Sequence, residues 1–313
     1  MRPFRFGAQH TSGAGAEDWA ARARRVEQDG YSTLSMPDHL DDQLAPLTAL
    51  GAAAAATSRL RIGTLVLGND YRHPVVAAKD LATLDVLSGG RVEAGLGAGW
   101  SREDYQRSGI AYDDPATRVA RLSEAIDVVQ GCWTGKPFDH VGEHYQVRAY
   151  RGAPEPYQRP HPPLLVGGGS RRVLELAARR ADIVGLNFDM RGGAIGPGIG
   201  ASGTVGASER KLAWVRGAAG DRFDDLELQV TVFMAAVTSD RDSFAQLAGG
   251  VLGLPVDEVL DCPHVLAGTV DEIVDTLRER RDRYGLSYVT ISAAYLPTAV
   301  DDLAPVVGRL TGC

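Results

Sequence analysis

Arg61-Ile-Gly-Thr-Leu-Val-Leu-Gly-Asn-Asp-Tyr-Arg-His-Pro74, and then Leu87-Ser-Gly-Gly-Arg-Val-Glu-Ala-Gly-Leu-Gly-Ala-Gly-Trp100, decide the fold between them. Ile62–Leu67 is a short branched apolar run, as a strand buried on both faces requires. Gly68-Asn69-Asp70 breaks it, and Pro74 suits a first helical turn. Val75, Ala78, Leu81, Ala82 and Leu84 follow at helical spacing, and Ser88-Gly89-Gly90 stops the helix. Arg91–Leu96 is a second apolar strand that runs into Gly97, Ala98 and Gly99. The unit is β-α-β, and its second strand ends where side chains are absent and a flat or charged ligand can approach backbone closely. A dinucleotide turn needs G-x-G-x-x-G at the mouth of a helix. Gly95, Gly97 and Gly99 are spaced G-x-G-x-G, and the next expected helix starts only near Pro115, so that reading fails.

Working outward, the same alternation recurs. Strands are expected at Phe4–Gln9, Tyr31–Met36, Ile62–Leu67, Arg91–Leu96, Pro162–Val166, Ala181–Leu186, Leu226–Met234 and Tyr288–Ser292. Helical patterns follow each, notably Ala16–Gln28, Pro46–Ala56, Pro115–Trp133, Arg171–Arg180, Ser208–Ala218, Val270–Tyr284 and Val300–Leu310. Lys136–Arg148 alternates polar and apolar as an extended excursion, and shorter helical pieces fall at 241–249 and 255–260. Eight strand–helix units predict an α/β fold, a (β/α)8 TIM barrel with insertions after strands 4 and 6. No linker divides the chain, so 1–313 reads as one domain.

Composition bounds the function. The 313 residues are 44% hydrophobic and 23% charged, with a net charge of −7. That balance argues against a nucleic-acid surface. Cys132, Cys262 and Cys313 are odd in number and form no C-x-x-C pair, which favours a reducing, cytoplasmic setting. No apolar run is long enough to span a membrane, and no signal-peptide pattern opens the chain. The expected partner is a small molecule.

In a barrel the chemistry gathers at the C-terminal strand ends. Those ends present Gln9 and His10, then Asp38 and His39, then Asn69, Asp70, Arg72 and His73, then Gly97, Ala98, Gly99 and Trp100. Gly167, Gly168, Gly169 and Ser170 follow strand five, Asn187 follows strand six, and Tyr295 follows strand eight. Free N–H groups at a glycine-rich helix start, with a hydroxyl at the cap, make an anion site, so 167–170 reads as a phosphate cradle. His39 is the acid/base candidate, because imidazole titrates near neutrality; a histidine merely bonded to a neighbouring strand end is the competing reading. His140-Val-Gly-Glu-His144 matches a zinc-protease pattern, but Gly142 and the extended alternation deny it a helix, so no metal is expected. Asp189–Ala207 holds seven glycines and few apolar anchors, and is expected to be a mobile lid.

The order and spacing of Pro37-Asp-His39, Arg72-His-Pro74, Leu84-Asp-Val-Leu-Ser-Gly-Gly-Arg91, Gly97-Ala-Gly-Trp100, Val166-Gly-Gly-Gly-Ser170 and Ala181-Asp-Ile-Val-Gly185 resemble the luciferase-like monooxygenase (bacterial luciferase) superfamily. That family is a (β/α)8 barrel that binds FMN or the deazaflavin coenzyme F420 and is commonly dimeric. The resemblance implies a cofactor phosphate at 167–170 and a non-prolyl cis peptide at the strand-three end, Val66-Leu67-Gly68, with Asn69 beside it. It also implies that Asp38-His39 is the Asp-His pair found beside a deazaflavin ring. Some sugar-phosphate dehydrogenases of the family carry a glutamate just after the fourth-strand glycines; here that position is Trp100, which leaves the acidic partner missing. Gln9, Trp100, Asn187 and Tyr295 are the expected substrate or lid contacts. The resemblance thus points to an F420-dependent oxidoreductase, a possible homodimer. An FMN-dependent monooxygenase and a non-catalytic flavin-binding barrel are the alternatives.

Overall fold

The structure is a computed structural model that describes residues 2–11, 18–194 and 198–313. Eight parallel strands close into a barrel: β1 (Arg5–Gln9), β2 (Thr33–Met36), β3 (Arg61–Thr64), β4 (Val92–Gly97), β5 (Leu164–Gly168), β6 (Ile183–Leu186), β7 (Glu227–Val232) and β8 (Leu286–Ser292). Each pairs with its neighbour in sequence, and β1 pairs with β8, with Arg5 opposite Tyr288 and Gln9 opposite Ser292.

Helices ring the barrel: α1 (Trp19–Gln28), α2 (Pro46–Ala56), α3 (Pro74–Ser88), α4 (Pro115–Trp133), α5 (Arg171–Arg180), α6 (Val205–Ala219), α7 (Val270–Tyr284) and α8 (Ala304–Leu310). Their starts follow local chemistry. Asp114 caps α4 through Ala116 and Thr117, and Thr269 with Glu272 forms a reciprocal capping box on α7. Gly89 ends α3 in the left-handed region, where a Cβ would be strained. Pro305 and the turn at Leu303 split the expected final helix into Ala299–Asp302 and α8.

The floor of the barrel is a charged plug. Arg5 reaches Glu227 at 2.7 and 2.6 Å and Glu93 at 2.5 Å; Arg61 reaches the same Glu93 at 2.8 Å. Tyr288 donates to Glu93 and carries the Arg5 guanidinium 3.5 Å above its ring. The two arginines hold the Glu93 carboxyl below its ordinary range although burial opposes this. Above the plug, Leu165, Ile183 and Tyr288 pack with Leu65 and Val66 into an apolar layer that underlies the mouth.

The insertions differ in part from expectation. After β4, Arg102–Ser108 is a helix capped by Ser101, although the sequence reading placed no helix before Pro115. Between α4 and β5, Phe138–Val141 and Gln146–Tyr150 form an antiparallel hairpin. Strand seven ends at Val232; Met234–Val237 leaves the barrel and pairs with Val265–Gly268 in a separate two-stranded sheet. The segment between β7 and α7 is therefore a third insertion, whose Phe244, Ala248, Leu252 and Val259 form a small core together with Phe188 from the loop after β6. Among the described residues no helix is long and apolar enough to cross a membrane.

Candidate functional site

The mouth of the barrel is built first from the break in strand three. The Leu65–Val66 peptide is cis, one bond before the expected 66–68. Leu67-Gly68 then resumes pairing with Leu96 and Gly97 of β4. Gln9 donates to the Leu65 carbonyl at 3.1 Å, which ties the end of β1 to this break. The glycines of β4 answer to the same backbone. A Cβ on Gly95 would lie 1.8 Å from the Thr64 carbonyl oxygen, and one on Gly97 would lie 2.4 Å from the Val66 side chain. At these two positions the strand-three chain leaves no space for a side chain.

Asp38 and His39 have different hydrogen-bond partners. Asp38 is buried and accepts from both Arg72 terminal nitrogens, at 2.5 and 3.2 Å, and from the Gly68 N–H at 2.9 Å. It holds the strand-three loop in place. His39 instead meets Asp104, Nδ1 to Oδ2 at 2.7 Å, and its ring stands edge-on to Trp100 at 5.3 Å. Asp104 is buried in the first turn of the 102–108 helix and also accepts from the Tyr71 hydroxyl at 3.2 Å. A carboxylate four residues past Trp100 thus meets His39. Sequence reasoning missed it because Ser101-x-x-Asp104 was not recognised as a cap with its first turn.

A second carboxylate sits beside this one. Asp70 accepts from Tyr105 at 2.9 Å and pairs with Arg121 of α4 at 2.9 Å. Burial first, then the adjacent carboxylates, push the Tyr71 and Tyr105 hydroxyls well above the ordinary phenol range, so both stay donors. Asn69 donates to Tyr145 of the hairpin at 3.1 Å. His73 is a helix cap rather than a rim group: its Nδ1 accepts from Val75. His10 is buried, and burial together with Arg22 lowers it to about 4.

The glycine turn is shorter than expected. Gly167 and Gly168 are the last residues of β5, paired with Gly185 and Leu186, and the Gly168 carbonyl accepts from Asn187 N–H. Only Gly169 and Ser170 remain to open α5. A Cβ on Gly169 would fall 2.1 Å from the Phe188 carbonyl oxygen, so its smallness also serves packing. Ser170 makes no capping hydrogen bond with its side chain. Arg118, near the start of α4, is a residue that sequence reasoning passed over. Arg118 is 2% exposed, its guanidinium lies 4.2 Å over the Tyr112 ring, and its Nε and Nη1 have no partner among the described residues. A buried guanidinium with unmet donors one turn from Pro115, which shares a cavity wall with Gly169, suits an anion.

A cavity of about 750 Å³ lies beside that turn, and its lining includes Gly169, Asp189, Arg191, Arg210, Lys211 and Trp214 but not His39. Lys211 is buried and donates to the Asn187 and Ser202 carbonyls, both at 2.6 Å; burial lowers its ammonium to about 8. The 189–207 segment is better anchored than its glycines suggest. Phe188 stacks on Phe233 and His264 at its start, Ser202 accepts from Asp189 N–H, and the Gly193 carbonyl accepts from Arg102 N–H. Residues 195–197 lie outside the described residues. Tyr295 stands edge-on to Phe233 at 6.4 Å, and Asn187 directly precedes Phe188, which stacks on the same Phe233. In the hairpin, Glu124 takes the N–H groups of Glu143, His144 and Tyr145 and pairs with His140 at 3.3 Å, which gives His140-x-x-Glu143-His144 a structural explanation.

Comparison with known proteins follows this geometry. Residues 1–196 match the sequence pattern of the luciferase-like monooxygenases. An FMNH2-dependent dimethylsulfone monooxygenase of Pseudomonas putida is 34% identical over 142 residues, 45% of this chain and 39% of that protein. An F420-dependent glucose-6-phosphate dehydrogenase of Nakamurella multipartita is 33% identical over 191 residues, 58% of this chain and 55% of that one. The matches to these two relatives thus span about 39% and 55% of their lengths. Among solved structures, the coenzyme F420-dependent tetrahydromethanopterin reductase of Methanopyrus kandleri superposes with a TM-score of 0.79 over 99% of this chain and 100% of that one, at 17% identity. A long-chain alkane monooxygenase superposes with a TM-score of 0.76 over 99% and 91%, at 16% identity. These two share the fold. The chain belongs to the luciferase-like monooxygenase family, an oxidoreductase family with F420-dependent and FMN-dependent members.

Proposed function

We propose that the protein is an F420-dependent oxidoreductase acting on a small organic alcohol or carbonyl compound. The observation that carries this reading is the His39–Asp104 pair at the mouth. A carboxylate can only accept from Nδ1, so Nδ1 carries the proton and Nε2 is the atom left for substrate. Tyr71 bonds the same Asp104 oxygen and fixes the carboxylate that fixes the ring. Nε2 takes the hydroxyl proton when an alcohol is oxidised, and His39 returns it to the oxygen when a carbonyl is reduced. Trp100 stands edge-on to His39 at 5.3 Å.

The residues fit the cofactor class. Gly169 and Ser170 N–H groups with the Arg118 guanidinium would hold its phosphate, and Leu65, Val66, Gly68 and Asn69 would back its ring, with Gly97 and Ala98 at the facing strand end. When bound, the deazaflavin supplies a carbon that accepts or donates hydride. Asn187 and Tyr295 are proposed to touch substrate from the aromatic side. A reducing cytoplasmic setting suits Cys132, Cys262 and Cys313, which are all free thiols.

The 34% identity to an FMNH2-dependent monooxygenase favours a second reading, an FMN-dependent monooxygenase on the same site. Fluorescence titration of the purified protein with F420 and with reduced and oxidised FMN separates them. Binding of F420 at least tenfold tighter than FMN is the expected result; the reverse order selects the monooxygenase.

A further inference from the structure

Two Asp-Tyr dipeptides meet near His39 and exchange their bonds. Asp70-Tyr71 follows strand three, and Asp104-Tyr105 lies in the 102–108 helix. Tyr71 donates to Asp104 at 3.2 Å, and Tyr105 donates to Asp70 at 2.9 Å. The two rings lie 5.4 Å apart, tilted by 59°. Each ring lies against a glycine a few residues upstream. A Cβ on Gly68 would fall 2.6 Å from the Tyr71 ring, and one on Gly99 would fall 2.0 Å from the Tyr105 hydroxyl. Arg121 of α4 braces the exchange: it pairs with Asp70 at 2.9 Å and also with Asp113.

The exchange bears on His39 from two directions. Asp38, the residue before it, is tied to Gly68 and Arg72 of the strand-three loop. The imidazole Nδ1 meets Asp104 Oδ2, the same oxygen that Tyr71 bonds. One loop, 68–72, therefore fixes both the chain at His39 and, by way of a seven-residue helix, its ring. A helix of seven residues does not hold its own place. Apolar contact alone would let it slide. Two hydrogen bonds to buried carboxylates, one from loop to helix and one from helix to loop, set its register. We infer that Tyr105 and Arg121 are positioning residues for His39: through Asp70 they hold the helix where Asp104 keeps the imidazole in one tautomer. The role rests on the reading of His39 as the acid/base group, whereas the tautomer is a property of the protein without cofactor. Without the Tyr105 hydroxyl the helix shifts, Nδ1 loses a constant acceptor, and the proton spreads over both ring nitrogens. A protonated Nε2 on the neutral ring cannot take a proton from an alcohol.

Nitrogen NMR of the cofactor-free protein, labelled with 15N-histidine and held above the pH where the ring titrates, reads the tautomer directly. The His39 signal is the one missing in His39→Gln. In the parent the proton sits on Nδ1; a parent mixed between tautomers defeats the His39–Asp104 reading and the clasp with it. Tyr105→Phe deletes one oxygen atom and should move at least about one fifth of the population to the Nε2–H form. Asp70→Asn should act likewise, and the double variant should do no more than the larger single effect, because both act along one path. An additive loss overturns the clasp. In turnover of an alcohol, kcat of Tyr105→Phe should fall about tenfold while F420 affinity stays within about twofold. A merely structural Tyr105 would lower the melting temperature and leave the parent's tautomer in place, and that result overturns the inference. Where Tyr105→Phe does not fold, Arg121→Lys keeps the charge without the two-pronged reach and is read the same way: mixed tautomers support the inference, the parental pattern overturns it. Failure of F420 to bind defeats the cofactor reading by itself, and the tautomer measurement still decides the clasp.

Discussion

At His39 the decisive neighbour is a residue 65 positions away in sequence. Asp104 orients the imidazole and leaves Nε2 as the working atom, so the two substitutions should differ. His39→Ala removes the acid/base group and lowers turnover by about 10²- to 10⁴-fold, with the cofactor still bound. Asp104→Asn keeps the shape but removes the carboxylate that holds the imidazole in place; kcat should fall while cofactor affinity stays as in the parent. An unchanged kcat argues that Asp104 only packs. Gly95 makes a separate test of the scaffold. Its Cβ position lies 1.8 Å from the Thr64 carbonyl oxygen, a backbone atom that cannot turn aside. Gly95→Ala should cost about 3 kcal/mol or more by overpacking, read as a lower urea midpoint.

Among the elements, the 102–108 helix has little of its own to hold it. It is seven residues long, and Ser101 caps it through the Asp104 N–H at 3.3 Å. Isolated helices of this length are unstable, so its order comes from the contacts of Asp104 and Tyr105 with the strand-three loop. Ser101→Ala should cost about 1 kcal/mol locally. Because the helix carries Asp104, the same change should lower kcat more than it lowers global stability. Hydrogen exchange confined to 101–109, with an unchanged melting temperature, checks this. The 189–207 segment teaches the converse. Its glycines suggested freedom, yet Gly200 packs on Leu254 and Gly203 on Phe188, positions where any Cβ would collide. Glycine there marks close contact as much as flexibility.

Across the whole molecule, two groups of buried charge set stability. Glu93 balances Arg5 and Arg61 at the closed end of the barrel. Glu93→Ala leaves two guanidiniums facing each other with one carboxylate fewer, and should destabilise by about 3–5 kcal/mol in urea or thermal unfolding, far from any chemistry. The second group is neutral by necessity. Burial lowers His264 to about 3 and His10 to about 4, both from 6.5. The folded state then binds fewer protons than the unfolded chain, so their contribution is complete above pH 6.5 and is lost as pH falls towards 4 and 3. The urea midpoint should drop between pH 6.5 and 5, before the lowered carboxylates begin to act in the same direction. A flat midpoint over that interval contradicts the assignment.

What the sequence by itself determined is periodic and local. Branched apolar runs alternate with helical spacing eight times, and residues 61–100 alone contain a complete β-α-β unit. His39 and Asp38 were legible because strand ends in a barrel converge on one face. The tertiary structure decided the pairings across insertions. Asp38 serves Arg72 and Gly68, and His39 serves Asp104, because side-chain partners depend on where a seven-residue helix docks, which no spacing encodes. Arg118 reads in sequence as one more polar position of an amphipathic helix. Only the tertiary packing buries it, with Tyr105 and Tyr112 beside its guanidinium, and leaves Nε and Nη1 without a partner among the described residues. The glycines of β4 were visible as small residues, but their reason, the Thr64 carbonyl oxygen against Gly95 and the Val66 side chain against Gly97, exists only once the strand-three chain lies beside them.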